Sequence, residues 1–290
     1  MRGAPYLPFA DGRFRLALGL MPLKPSAWIE PDADFAAHLA EKRALLAARH
    51  GDVFEALAGA DAPSAELLAL LGDHLPHHHP ELFERAGAML RNLATGEEWN
   101  VARPFLHPLD LCGRFVQEDF CVLTPHDGPY LLAGATLAAP ARWRLREKLG
   151  RPLVEVHAPV PGYDERLGTP VDRLFATMKP DRLVWRLNWS IVDDPARFQP
   201  VCVPRKRPIT DPGAELWLRV ERQTLRKLPV TGAIIFTIRT HVTRLDDAVD
   251  ELPHAAALAA ALRSMPHEMQ VYKNIAPFAP ALLAWLDARA

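Results

Sequence analysis

LWLRVERQTLRKLPVTGAIIFTIRTHVTRL, residues 216–245, decides how this chain is read. Two runs rich in Val, Ile, Leu, Phe and Thr flank LPVTG, where Pro229 and Gly232 favour a tight turn. The stretch therefore predicts a β-hairpin of two long strands. Yet Arg219, Glu221, Arg222, Arg226, Lys227 and Arg239 all sit inside it, more charge than a hairpin built only for a core would need. Strand alternation puts Leu216, Leu218, Val220, Arg222 and Thr224 on one face and Trp217, Arg219, Glu221 and Gln223 on the other. Arg222, closing an apolar face, and Arg239, between Ile238 and Thr240, are candidates for guanidinium groups aimed into a pocket. A buried cation needs an anion, because an unpaired charge there is costly. Glu221, Glu118 or a ligand carboxylate fits that role. Cross-strand ion pairs on a solvated face are the plainer alternative.

Working outward, FVQEDFCVLT (115–124) and PYLLAGATLAA (129–139) form a second predicted hairpin across the turn signal PHDG. RLVWRLNWSIV (182–192) reads as a strand with Trp185, Leu187, Trp189 and Ile191 on one face and Arg186, Asn188 and Ser190 on the other. Between them, RWRLREKLG (142–150) looks helical, and residues 151–181 mix short helices with proline-bound loops. The first hundred residues read as helices: 32–58, 64–75 opened by Ser64, and HPELFERAGAMLRNLATG (79–96). The end, 252–290, is helical again, with interruptions at Pro266, Pro277 and Pro280. Strands and helices are segregated, so the class is α+β: a five-stranded antiparallel sheet with a helical insertion on one face, inside helical wrapping. The expected division is a mainly helical extension over 1–100, a core over 101–245 and a helical segment over 246–290.

Bulk composition narrows the function. A formal net charge of −1 over 290 residues, with signs interspersed, gives no field to draw nucleic acid or an anionic membrane. Cys112, Cys121 and Cys202 are too few for a four-thiolate cluster and make neither a disulfide framework nor a zinc pair. No signal peptide and no run of membrane-spanning length is read, so the expected compartment is the cytoplasm. The 28 prolines, roughly twice the usual share, mark rigid loops. There is no G-x-G-x-x-G after a strand, no P-loop and no G-x-S-x-G elbow. Any redox power must come from outside the chain.

Two stretches hold candidate ligands. His157, in VEVHAPVPGY, follows an apolar run and precedes two X–Pro steps that fix the backbone. A rigidly placed imidazole suits an axial haem ligand or a general base; a histidine bonded to a backbone carbonyl is the plainer reading. DHLPHHHPE (73–81) gathers His74, His77, His78 and His79, but Pro76 and Pro80 argue for a solvated loop rather than a helical metal site.

VQEDFCVL (116–123), VHAPVPGY (156–163), RLNWSI (186–191) and LRVERQTLRKLPVTGAIIFTIRTHV (218–242) together resemble the haem-dependent oxidative N-demethylase α-subunit family, over roughly residues 10 to 270. The resemblance implies a Per-ARNT-Sim (PAS) type core binding haem b, with His157 as the proximal iron ligand. It implies oxidative demethylation of a small secondary amine such as dimethylamine with O2, releasing formaldehyde. Electrons would come from NADPH through a separate flavin and iron–sulfur partner, and a folate-binding partner would take up the formaldehyde. Arg222 and Arg239 would then bind haem propionates or polarise the distal site, with Asn188 beside the cofactor, and Glu221 or Glu118 would hold the ammonium substrate. A haem-binding gas or redox sensor, a haem-free structural subunit and an oxygenase for a larger amine are the rival readings.

Overall fold

The computed structural model describes residues 4–126, 128–180 and 182–290; Asp127 of the predicted PHDG turn lies outside them. Among the described residues ten strands are formed: β1 (Met21–Leu23), β2 (Phe54–Ala56), β3 (Phe83–Ala86), β4 (Met89–Asn92), β5 (Glu98–Asn100), β6 (Asp119–Pro125), β7 (Tyr130–Thr136), β8 (Leu183–Val192), β9 (Trp217–Lys227) and β10 (Ile234–Arg244). The main sheet is antiparallel and has seven strands in the order β1-β8-β9-β10-β6-β7-β2. The five strands read from the sequence are adjacent at its centre. The two edge strands come from the N-terminal hundred residues, where runs of three residues are too short to announce themselves. The opening stretch is the hairpin predicted: β9 and β10 pair from Trp217↔Arg244 to Lys227↔Ile234. Gly232, at φ +69°, supplies the left-handed residue the turn needs, and Leu228 N–H donates to the Ala233 carbonyl at 2.8 Å to close it.

Helices α1 (Phe35–Val53), α2 (Asp61–His78) and α3 (Pro108–Phe115) cover part of one sheet face. Their contact carries Trp28, Phe35, Leu67, Leu71, Phe115 and Ile235 in one buried cluster. The rest of that face meets the C-terminal helices α8 (Leu252–Ser264) and α10 (Ala279–Asp287) through Trp189, Ile191, Leu218 and Val220. The opposite face is overlaid by the insertion between β7 and β8: α4 (Leu153–Val156), a π-helical turn (Asp164–Gly168) and α5 (Thr169–Thr177). Short helices α6 (Pro212–Glu215), α7 (Leu245–Ala248) and α9 (His267–Tyr272) complete the set.

Several local expectations differ from the structure: the helix expected over 32–58 ends at Val53, where Phe54–Ala56 pairs as β2, and α2 opens at Asp61 rather than Ser64. Residues 79–96 form not a helix but the hairpin of β3 and β4, which with β5 makes a three-stranded sheet. Gly87 at φ +60° turns the chain there, and β4 alternates exposed and buried residues with a period of two. Residues 142–150 hold only a short 3-10 turn, Leu145–Glu147. Conversely, α2 runs through Pro76 to His78, because the break that proline imposes falls within its last turn.

Close packing of α3 on the sheet depends on one glycine. A Cβ on Gly113 would meet Thr136 Oγ1 at 2.2 Å and its Cγ2 at 2.6 Å. Thr136 is buried and has no room to give. Gly113→Ala is expected to cost roughly 1–3 kcal/mol or more through overpacking. A chemical-denaturation midpoint unchanged from wild type would contradict this.

Candidate functional site

The sheet face under the insertion walls a cavity of about 280 Å³. That is close to the small end of the range of about 300–1,000 Å³ common for ligand pockets. Register explains which side chains meet there. Arg186 opposes Gln223, Asn188 opposes Glu221, and Ile238 opposes Gln223 from the far side of β9, so all five share one face and line the cavity. Leu123, Leu132, Leu225 and Phe236 continue that wall as apolar surface. The facing wall is the insertion, with Leu153, His157, Tyr163, Leu174 and Phe175. Phe14, Leu16, Leu18 and Leu20 of the N-terminal segment and Met269, Tyr272 and Lys273 of the α9 end close the sides.

His157 is the C-terminal cap of α4. Its Nδ1 lies 2.9 Å from the Leu153 carbonyl oxygen. A carbonyl only accepts, so Nδ1 carries the proton and Nε2 keeps the lone pair. The ring stacks on Tyr163 with centroids 4.3 Å apart and planes 8° from parallel. Burial pushes the imidazole pKa down to about 4, and the nearby Lys148 and Arg186 charges push the same way. The side chain is thus a neutral imidazole, fixed in tautomer and in plane.

The sheet wall opposite is polar and cationic. Arg186 is half-buried, its Nε has no hydrogen-bond partner among the described residues, and desolvation pushes its pKa down. Glu221 is buried and accepts from Asn188 Nδ2 at 3.1 Å and Gln223 Nε2 at 3.0 Å. Lys273 Nζ donates to Asn188 Oδ1 at 3.1 Å and to the Trp189 carbonyl at 2.7 Å. Of these groups, Asn188 and Glu221 were candidates from sequence; Arg186 was visible there only as a face-mate of Asn188. Tyr163, Gln223 and Lys273 were not singled out. Lys273 sits in a nondescript VYKN (271–274), and nothing local shows that the chain folds it back onto β8.

The remaining candidates lie elsewhere. Arg222 opposes Leu187 and Arg239, so both arginines are on the other face of the sheet from His157. Arg222 pairs through Nε with Glu30 Oε2 at 2.8 Å, and Arg239 pairs with Asp32. Neither lines the cavity, and neither has the sequence-expected partner: the anions come from a segment some two hundred residues upstream. Glu118 is buried on that same side, where its Oε1 accepts from the Glu30 backbone N–H at 2.8 Å. The structure therefore brings together His157, Asn188 and Glu221 and separates them from Arg222, Arg239 and Glu118.

The histidine-rich stretch is not a solvated loop. His74 and His79 are buried, and His74 packs edge-on to Trp28 with centroids 5.0 Å apart. Among the described residues no group of three or more His, Cys, Asp or Glu is placed to hold a metal ion. A porphyrin iron needs no such group, since the macrocycle fills the equatorial positions and one axial side chain suffices. The three cysteines are free, and no helix is long and apolar enough to cross a membrane, among the described residues.

Burial holds His38, His74 and His157 neutral in the fold, with pKa values pushed down to about 2, 3 and 4. Unfolded histidine titrates near ~6.5, so between that pH and the folded values the unfolded chain binds more protons. Stability should accordingly fall as pH drops below about 6.5 and level off only below these depressed values. Urea melts at neutral and acid pH check this. A His74→Phe variant should show a shallower loss, and an equal loss would remove His74 from the account.

With this geometry in view, the chain can be placed. A family model described as haem-dependent oxidative N-demethylase, alpha subunit-like, matches residues 19–283, and the chain belongs to that family.

Proposed function

We propose, with that membership as the premise, that the chain binds haem b on His157 and oxidatively demethylates a small secondary amine, dimethylamine-like, releasing formaldehyde. The observation that carries the reading is the His157 imidazole: neutral, its Nδ1 tied to the Leu153 carbonyl, held flat against Tyr163 and lining a largely apolar cavity. Metal-bound histidines characteristically donate the second ring N–H to a carbonyl or carboxylate, which sets the tautomer and raises ligand basicity. Haem, when bound, would supply the oxygen and electron chemistry. The chain's own residues would do the rest. Arg186, with a free Nε on the cavity wall, would meet a carboxylate of the cofactor in a charge-assisted hydrogen bond. Glu221, kept in place by Asn188 and Gln223, would attract the ammonium form of the substrate. The leucines and phenylalanines would keep water from the reacting carbon.

The arrangement also supports a PAS-type core, since the five inner strands form one antiparallel sheet with the helical insertion lying on the face that carries the site. We further propose that electrons come from NADPH through a separate flavin and iron–sulfur protein, and that a folate-binding partner takes up the formaldehyde. The chain's three cysteines and lack of a dinucleotide motif are in keeping with that division.

The test is an absorption spectrum of the protein expressed with a haem precursor, followed by dimethylamine turnover with O2 and a chemical reductant. A Soret band with formaldehyde release is expected. A Soret band with no turnover of any small amine would favour the sensor, and a folded protein with no Soret band would leave the haem-free subunit.

A further inference from the structure

The Asn188 amide sits between a carboxylate and an amine: Nδ2 donates to Glu221 Oε2 and Oδ1 accepts from Lys273 Nζ, both at 3.1 Å. This fixes its orientation, because a flipped amide would set N–H against Lys273 and oxygen against Glu221. Glu221 takes a second amide donor from Gln223 on that same oxygen, Oε2, while its Oε1 faces Arg219 Nε at 3.6 Å. Lys273 is in the reverse position. It has two acceptors, Asn188 Oδ1 and the Trp189 carbonyl, and no ion pair among the described residues. An ammonium has three N–H bonds to place, whereas a neutral amine has two and a lone pair. Two N–H bonds are thus placed on the protein, which leaves the third N–H, or the lone pair once the proton is lost, for a bound ligand.

Charged and titratable groups line the cavity with Lys273 from every side, Arg15 from the N-terminal segment, Cys121 from β6 and Lys148 from the insertion among them. Arg186 comes from β8, Glu221 from β9 with Arg219 behind it, and Tyr272 is its neighbour in sequence. The insertion facing them contributes His157 and Tyr163. Desolvation is the largest influence and pushes the Lys273 pKa down to about 8; Glu221 pulls it back up and Arg186 pushes it further down. Lys273 is half-buried and lines the cavity.

We propose that Lys273 is the group that takes the proton from the ammonium form of the amine substrate, with Asn188 and Glu221 aligning donor and acceptor. The proposal rests on the amine-demethylating reading above and adds the residue that makes the substrate reactive. An aliphatic ammonium titrates near ~10.4 in water, as lysine itself does, so the substrate arrives protonated and without a lone pair. In the step, an N–H bond breaks at the substrate nitrogen and one forms at Lys273 Nζ. The electron pair stays on the substrate nitrogen, nothing is oxidised or reduced, and Lys273 returns the proton to solvent as product leaves. Glu221 draws the cation in through its charge, and Lys273 takes the proton.

Lys273→Met and Lys273→Arg, prepared with haem, test this beside the wild type through kcat/KM for dimethylamine against pH. Positioned bases contribute about 100- to 10,000-fold. Lys273→Met is therefore expected to lose about 100-fold or more in kcat/KM, to keep the wild-type Soret band, and to lose the limb that rises near pH 8 in the wild type. Lys273→Arg, which keeps the charge but cannot give up a proton, should be equally slow. Small primary amines added to Lys273→Ala should restore rate in order of their basicity. A second readout needs no turnover: in haem-free protein carrying 13C-methylated lysines, the resonance missing from Lys273→Met should titrate about two units below the surface lysines. Lys273→Arg with wild-type kcat/KM, an unmoved pH limb in Lys273→Met, or a resonance titrating with the others would overturn the assignment. Haem-loaded wild type that turns over no amine would overturn the demethylase reading and this proposal with it.

Discussion

Replacing His157 with glycine is expected to leave a folded protein that binds haem at least about 100-fold more weakly and no longer releases formaldehyde. The magnitude follows from outer-shell partners of metal-bound histidines, whose loss alone costs about 10- to 100-fold in affinity; loss of the ligand itself must exceed that. The fold should survive because the ring is half-buried at the end of a four-residue helix and makes one hydrogen bond, to Leu153, and one stacking contact, with Tyr163. The space left by the ring adjoins the cavity, so imidazole in the buffer should enter it and recover part of both the Soret band and the turnover. The pH behaviour is part of the argument. With its pKa pushed down to about 4, the imidazole is neutral throughout the physiological range, and protons compete for Nε2 only in acid. Haem loss from the wild type should thus begin only as pH falls toward that value. An unchanged Soret band in His157→Gly would mean that the axial ligand is elsewhere and would remove the observation on which the proposed function stands.

How much of this was legible in the sequence depended on whether the signal was local. The β9–β10 hairpin was, because strand alternation and a Pro–Gly turn lie within 30 residues. Alternation also separated Glu221 from Arg222 correctly, and it is what brings Glu221 and Asn188 to one wall. It did not say which face carried the cavity. Arg222 ends an apolar run, which suggested a pocket, but the run is apolar because α8 and α10 pack on it, and the arginine at its end meets the segment bearing Glu30. Pairing between residues about 190 apart leaves no mark in either local pattern. The same holds for Lys273 and for the edge strands β1 and β2, which gain their partners only from the assembled sheet. Residues 79–96 failed for another reason. Their apolar spacing fits a helix about as well as a strand, and Gly87 decides the matter through its backbone rather than its side chain.

Arg222 and Arg239, on the sheet face away from the cavity, give the second large effect. Arg222→Met should cost about 3–5 kcal/mol of stability, the usual consequence of breaking a buried ion pair from one side, and should leave the haem spectrum where it is. Arg222 is 3% exposed. Its Nε holds Glu30 Oε2 at 2.8 Å, its Nη1 donates to the Trp28 carbonyl at 3.3 Å, and its Nη2 donates to the Ala27 carbonyl. Methionine fills the space of the stem but abandons all three acceptors. Glu30 would retain His241 at 3.3 Å and the Tyr6 hydroxyl, which soften the loss without replacing the charge. Glu30→Gln should be costly in its turn because it strands the buried guanidinium. The double variant should lose clearly less than the two single losses added, since neither charge then remains unpaired. Thermal and urea unfolding of the four proteins measure the coupling. The spectrum separates structure from site: Arg222 opposes Leu187 across β8 and β9, while the cavity takes the intervening residues Arg186, Asn188, Glu221 and Gln223. Removing it weakens the clamp on the far side of the sheet and leaves the His157 side untouched. A shifted Soret band in folded Arg222→Met, at full haem occupancy, would place that guanidinium in the cofactor site and reverse the assignment of the two faces.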